Sequence, residues 1–270
     1  MGIINLSPES FYKKSVKSNS EEIQNAVLDM QCAGADIIDI GGMSTAPYLE
    51  TYVPIDLEME RLQHAISVIR QISDIPISVD TVRSKVLESL LKYEINALND
   101  ISGLKYDRQM PLIVSKHEIP VIIGAYRINS NYPDLSTGDI YDTIKLLADS
   151  INITKCFKID DEKVIIDPSI GFFRKAGNSP FFSKIDGMDW YVRDLDVISN
   201  ITLMTSLNKP ICISASRKSF MGLLLDLNVD ERLIPSIVTE IYCISNGVSL
   251  IRTHNVKETK IAMNTISLLH

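Results

Sequence analysis

Short apolar runs recur along the chain, each ending at a polar or small residue before a longer stretch with helical spacing begins. The runs cover residues 2–6, 36–40, 75–79, 95–98, 120–123, 164–166, 210–213 and 248–251. Runs this short and this rich in β-branched residues predict strands covered on both faces, as in parallel sheets. The intervening stretches, 20–33, 57–72, 82–93, 108–116, 140–157, 191–207, 231–246 and 256–268, have the apolar spacing of amphipathic helices. Ser20, followed by Glu21 and Glu22, reads as the N-cap of the first. Eight strand–helix alternations in 270 residues predict a (β/α)8 TIM barrel, an α/β fold forming one domain over residues 1–270. An open doubly wound sheet competes with it, but would carry a glycine-rich turn after its first strand, where this chain has Ser7-Pro8-Glu9-Ser10. Residues 127–137 and 172–189 are long for strand-to-helix loops and are candidate lids.

Composition narrows the classes. Hydrophobic residues make up 45% of the chain and charged residues 23%, enough for a large core. A net charge of −7 disfavours nucleic acid as a partner, because the phosphate backbone needs a basic face. A small anionic ligand needs only a few local cations. Cys32, Cys156, Cys212 and Cys243 form no CxxC or zinc spacing, and three of them read as small core residues. A reducing, cytoplasmic setting is expected. No apolar run approaches the ~18 residues of a membrane span, so no membrane partner is expected.

The ends of the predicted strands carry the chemistry. In a barrel they converge on one face, and here they bring Asn5, Asp39, Asp80, Asn99 with Asp100, Tyr126 with Arg127, Asp167, the run Ser216-Arg217-Lys218-Ser219, and Arg252 with His254. Acids and amides come from the first six strands, cations mostly from the last two. Asp39, like Asp36, interrupts an apolar run, which is costly unless a partner meets it. The acid and amide group suits a heteroaromatic ring with both donors and acceptors: Asp167 can accept two hydrogen bonds from an N–C–NH2 edge, and Asn99 can serve a mixed edge. For Asp80 and Asp100 a helix cap is the equal alternative. Lys218, Arg252 and His254 suit a phosphate, with Ser216, Ser219 and the start of a helix at Phe220 adding donors. Arg217 fits a structural ion pair equally well. His64, His117 and His270 earn no role. Mg2+ shared between Asn5 and ligand phosphates is chemically reasonable, since Mg2+ takes few protein ligands.

These segments resemble the dihydropteroate synthase family of pterin-binding TIM barrels over essentially the whole chain. The resemblance rests on residues 2–11, on 34–42 with Ser44, Thr45 and Pro47, on Ser78-Val79-Asp80-Thr81, Asn99-Asp100-Ile101 and Ile166-Asp167-Pro168 with Gly171-Phe172, on Ser216-Arg217-Lys218-Ser219, and on Arg252 with His254. It implies condensation of 6-hydroxymethyl-7,8-dihydropterin pyrophosphate with 4-aminobenzoate or a related arylamine, with loss of pyrophosphate, in folate or methanopterin synthesis. It further implies that Asp80, Asn99, Asp167 and Lys218 bind the pterin, and that Asn5, Arg252 and His254 bind the pyrophosphate. Mg2+ would assist at Asn5, Thr45, Phe172 and Ser219 would surround the arylamine, and Lys218, Arg252 and His254 would carry the catalysis. A homodimer is expected from the resemblance alone.

Departures from the family pattern gather in the loops. Met43 stands where Glu is usual and Ala46 where Arg is usual; Tyr12, Lys13 and Lys14 replace an Asp-Gly pair; Gly124-Ala125 replaces Met-His; Ser169 and Phe173 replace glycines; and Arg174 replaces Lys. One lost charge-assisted hydrogen bond is worth ~1.5–3 kcal/mol. Lys13, Lys14 and Arg174 raise a phosphorylated arylamine as an alternative acceptor. A methyl transferase using a methylated pterin would keep the ring site but has no need of Lys218, Arg252 and His254. A catalytically weak pterin-binding protein is the third reading, motivated by Met43, Ala46 and Lys13.

Overall fold

The computed structural model describes residues 1–8, 12–17, 19–128, 137–178 and 180–269. Glu9, Ser10 and Phe11 of the first motif, most of the 127–137 loop, and His270 lie outside the described residues. Strands β1 (Gly2–Asn5), β2 (Ile38–Gly41), β3 (Ile77–Asp80), β4 (Ala97–Asp100), β5 (Val121–Gly124) and β6 (Val164–Asp167) pair in parallel and in chain order. Strands β7 (Phe173–Arg174) and β8 (Ser183–Lys184) pair only with each other, in the loop after β6. Strands β9 (Cys212–Ile213) and β10 (Leu250–Ile251) pair in parallel and close the ring. Ile211 bridges to Ile166 on one side, and Thr253 bridges to Gly2 on the other. Ile166 N donates to Pro210 O at 3.0 Å and Thr253 N to Met1 O at 3.0 Å, so both seams are hydrogen-bonded. The expected (β/α)8 barrel is formed.

Strands β2 to β6 run one or two residues past the apolar runs that predicted them, taking in Gly41, Asp80, Asn99 with Asp100, Gly124 and Asp167. Ladder hydrogen bonds use main-chain groups, so a polar side chain does not end a strand. The first helix, Ser20–Cys32, is capped by Asn19, whose side chain accepts from Glu22 N; Ser20 is its first turn rather than its cap. The stretch 191–207 breaks at Asn200 into the α-helix Trp190–Ser199 and the 3-10 helix Ile201–Leu207. Two cysteines are buried rather than three: Cys212 and Cys243 are inside, while Cys32 and Cys156 end their helices on the solvent side.

Period-two alternation decides what faces the barrel interior. Ile38, Ile40, Ile77 and Val79 pack outward against the helices Ser20–Cys32 and Ile55–Arg70, and Leu98, Val121, Ile123, Val164 and Ile166 pack outward on the opposite half. Their neighbours turn inward. A small apolar plug of Met1, Ile122 and Cys212, with Ile37, Ile165 and Leu250 against it, fills the interior. The same parity places Asn5, Asp39, Asp80, Asn99, Asp167 and Arg252 on the inner wall toward the C-terminal ends of the strands.

Gly124, at the end of β5, sits where a Cβ would collide with the main-chain carbonyl of Ile101. The turn after β4 therefore packs directly on the β5 backbone. Gly124→Ala should lower unfolding free energy by about 2 kcal/mol or more, the range for overpacking against backbone, as read from chemical denaturation midpoints; an unchanged midpoint would refute the close packing.

Candidate active site

Asp39 is fully buried in the middle of an apolar strand, where an unpaired carboxylate would cost several kcal/mol. Its partners come from three other strands or their ends. Ser78 Oγ donates to Oδ1 at 2.6 Å, while Asn99 Nδ2 and Arg252 Nε donate to Oδ2 at 3.1 and 2.7 Å. Arg252 then reaches Asp80 Oδ2 through Nη2 at 2.8 Å, with Nη1 3.4 Å from Ser214 Oγ. One guanidinium thus serves two carboxylates. Burial works against the charge of Arg252, but Asp39 and Asp80 outweigh it and hold its pKa above the usual value. Burial also pushes Asp80 up, with Arg252 pulling it down and Asp39 adding repulsion. A carboxylate cluster with too little positive charge is suited to a ring that brings N–H donors.

Asp80 is therefore not a helix cap; the helix Ser84–Leu90 takes the Asp107 carboxylate at its first N–H instead. Asp100 does act as a turn cap, accepting from Ser102 N, Ser102 Oγ and Leu104 N. Asp167 accepts from Ser169 N at 2.6 Å and interacts electrostatically with Lys218 and Arg252.

Cations gather beside this cluster. Burial and the neighbouring Arg252 bring Lys218 down to about 8, against the pull of Asp167 and Asp194. Burial, then Arg252, Lys218 and Arg217, hold His254 well below its ordinary range, so it is neutral near pH 7. Tyr12 meets its ring edge-on at 5.1 Å. The first loop crosses the end of β1: Asn5 Nδ2 donates to Ser15 Oγ at 2.6 Å, and Ser15 Oγ donates to Tyr12 O at 2.7 Å. Arg217 is structural, bonding Asn255 Oδ1 and the carbonyls of Val229 and Asp230 beneath Tyr12.

The second and sixth loops form the other wall. Thr45, Pro47, Tyr48, Phe172, Arg174 and Ser219 line one cavity with Asn5, Asp80, Lys218, Arg252 and His254. Lys218 Nζ lies 4.6 Å over the Phe172 ring. Asn178 N donates to Pro47 O at 2.8 Å, tying the sixth loop to the second. Met43 lines the same cavity with an apolar side chain and packs with Val53, Val82 and Phe181. The buried Arg83–Glu58 pair, at 2.7 Å with Thr81 on the same carboxylate, anchors the base of that loop. Lys13 and Lys14 do not reach the cavity: Lys13 Nζ donates to Pro8 O, and Lys14 pairs with Asp230 on the surface.

Eight of the ten expected site residues thus share one cavity, while Asn99 and Asp167 are buried and connect to it through Asp39 and Lys218. Asp39 was visible only as a carboxylate needing a partner. Tyr12, Tyr48 and Arg174 carried no periodic signal.

The model of pterin binding enzymes matches residues 1–254. The chain is 32% identical over 270 residues to dihydropteroate synthase of Clostridium beijerinckii, covering all of this chain and 93% of that protein. The chain belongs to the dihydropteroate synthase family. It is also 32% identical over 258 residues to dihydropteroate synthase of Bacillus subtilis, covering 96% of this chain and 84% of that one. Among solved structures, dihydropteroate synthase of Clostridium difficile, determined in the presence of pteroic acid, superimposes with a TM-score of 0.83 at 31% identity, covering 100% and 95% of the two chains. That of Coxiella burnetii, in complex with pteroic acid, gives 0.84 at 28% identity over 99% and 91%.

For a dihydropteroate synthase family member whose cations are held this way, anion binding should be linked to protons. Lys218 loses its charge as pH rises through about 8 in the free protein, and an adjacent anion raises that value. Sulfate, an anion whose own charge does not change over this range, should therefore bind more weakly as pH rises through 8. At pH 9 its binding should take up a proton, seen calorimetrically as heat that depends on the buffer, and Lys218→Met should abolish that dependence. Buffer-independent heat in the unmodified protein would count against Lys218 facing the anion.

Proposed function

We propose that the protein condenses 6-hydroxymethyl-7,8-dihydropterin pyrophosphate with 4-aminobenzoate, releasing pyrophosphate, in folate biosynthesis. The observation that carries this reading is the sorting of one cavity into a buried acid–amide cluster and an adjoining set of cations. Asp80, Asn99, Asp167 and Lys218 bind the pterin ring, and Asn5, Arg252 and His254 bind the pyrophosphate. The bond from the exocyclic methylene carbon to oxygen breaks, and pyrophosphate leaves with the electron pair. Lys218, Arg252 and His254 stabilise that anion, while the carboxylates under the ring stabilise the cation left on the pterin. The arylamine nitrogen, placed by Thr45, Phe172 and Ser219, then bonds to the carbon and loses a proton.

Asn5 fits a part in holding Mg2+. Its amide nitrogen donates to Ser15 Oγ at 2.6 Å, and an amide oxygen is the kind of hard ligand atom Mg2+ takes, so Asn5 would hold the ion where few protein ligands are needed. Among the described residues no group of three or more His, Cys, Asp or Glu forms a protein-built metal cage. When bound, Mg2+ would neutralise charge on the leaving group. No helix among the described residues is long and apolar enough to cross a membrane. The outward placement of Lys13 and Lys14 removes two of the three cations that suggested a phosphorylated acceptor.

Calorimetry should show the pterin pyrophosphate binding at least tenfold more tightly than the hydroxymethyl pterin, with the difference lost in Arg252→Ala. Asp167→Asn should weaken both. Pyrophosphate release should need both substrates; its absence with 4-aminobenzoate would overturn the reading.

The protein also acts as a homodimer in this reading. Ile234, Val238 and Tyr242, four apart on the helix Leu233–Ser245, are 73%, 64% and 43% exposed, beside exposed Leu223, Leu225 and Ile261. An apolar face of this kind marks an interface. Light scattering should give twice the 30.2 kDa protomer mass, and Ile234→Glu with Val238→Asp should give the monomer; a monomeric unmodified protein would refute it.

A further inference from the structure

Arg174 stands out in the acceptor wall of the cavity. It is 7% exposed, and no carboxylate is within ion-pair distance of it among the described residues. Its bonds are made to neutral groups: Nη1 donates to the carbonyl of Phe173 at 2.8 Å and Nη2 to Ser219 Oγ at 3.1 Å. The guanidinium carbon lies over the Trp190 ring, 4.0 Å from its centroid. The carboxylate acting on it electrostatically, Asp194, is already bonded to Arg193 Nη1 and Gly171 N. Burial lowers the pKa of Arg174, the sign of a cation held where solvent cannot compensate it.

A buried cation without a direct counter-ion is costly, and an anion arriving with a ligand relieves that cost. Across the cavity, Ala46 stands where the family pattern has an arginine, so the second loop supplies no cation of its own at that position. Arg174 and Ser219 are hydrogen-bonded to each other and line the same wall as Phe172. Of the other cations, Arg252 is held by Asp39 and Asp80, and Lys218, over the Phe172 ring, also interacts electrostatically with Asp167 and Asp194. A guanidinium can bind a carboxylate through two parallel N–H donors, and a hydroxyl beside it can add a third.

We propose that Arg174, together with Ser219, binds the carboxylate of the arylamine acceptor, so that the cation for this group comes from the sixth loop rather than the second. The proposal rests on the transferase reading above. It assigns Arg174 as a specificity-determining residue: it selects acceptors with a single planar anionic group opposite the amine. The sixth loop then contributes recognition as well as closure.

Pteroate spans the pterin and acceptor subsites, so its binding tests the assignment without turnover. Calorimetry on the intact protein should show pteroate binding 10- to 100-fold more tightly than pteroic acid carboxamide, the range of one charge-assisted contact. Arg174→Met should remove that preference while leaving the carboxamide and 6-hydroxymethyl pterin within about twofold. Arg174→Lys, which keeps the charge but not the paired donors, should retain part of the preference. If Arg174→Met weakens pteroate and carboxamide equally, the residue acts on loop structure and the proposal fails. An unmodified protein that does not distinguish the two ligands also overturns it. If neither ligand nor the hydroxymethyl pterin binds, the pterin-transferase reading itself falls.

Discussion

Arg252 is shared by two carboxylates that enter the barrel far from it in the chain, 213 residues away for Asp39 and 172 for Asp80. Breaking a buried pair by removing one partner costs about 3–5 kcal/mol, so this contact is structural as much as functional. It ties β10, which closes the ring beside β1, to β2 and β3. It also leaves the carboxylates with too little positive charge, which is what makes them receptive to a ring carrying N–H groups. Stability and recognition depend on the same guanidinium, and Asn99 and Ser78 orient it indirectly by holding Asp39.

Strand and helix order were legible in the chain because burial on both faces leaves short apolar runs and helices leave a longer period. The polar residues at the ends of those runs were legible too, since few residue types are tolerated there without a purpose. Asp39 showed that a partner was needed but not which one: nothing local links residue 39 to residue 252. Tyr12 and Arg174 stood out as departures from the family pattern, but their contacts were not legible, for another reason. They sit in loops, where contacts are set by what the barrel brings together, and β7 and β8 are two residues each, too short to leave any period.

The departures from the family pattern fall into different physical classes. Met43 exchanges a charge for apolar packing against Val53, Val82 and Phe181, which fixes the second loop by burial. Gly124 lets the turn after β4 approach the β5 backbone. Lys13 and Lys14 are surface residues that leave the cavity chemistry alone. A loop can thus lose its charged residues and still be held in place, provided that the packing beneath it is rebuilt.

The hydrogen bond from Asn178 N to Pro47 O joins the second and sixth loops through main-chain atoms only. Side-chain identity at either position is therefore irrelevant to the bond itself, and only a proline at 178 would remove the donor. Sequence is constrained instead at Gly177, where a Cβ would meet the Pro47 carbonyl at 2.7 Å, so the close approach of the two backbones depends on the residue beside the bond rather than on the two that form it.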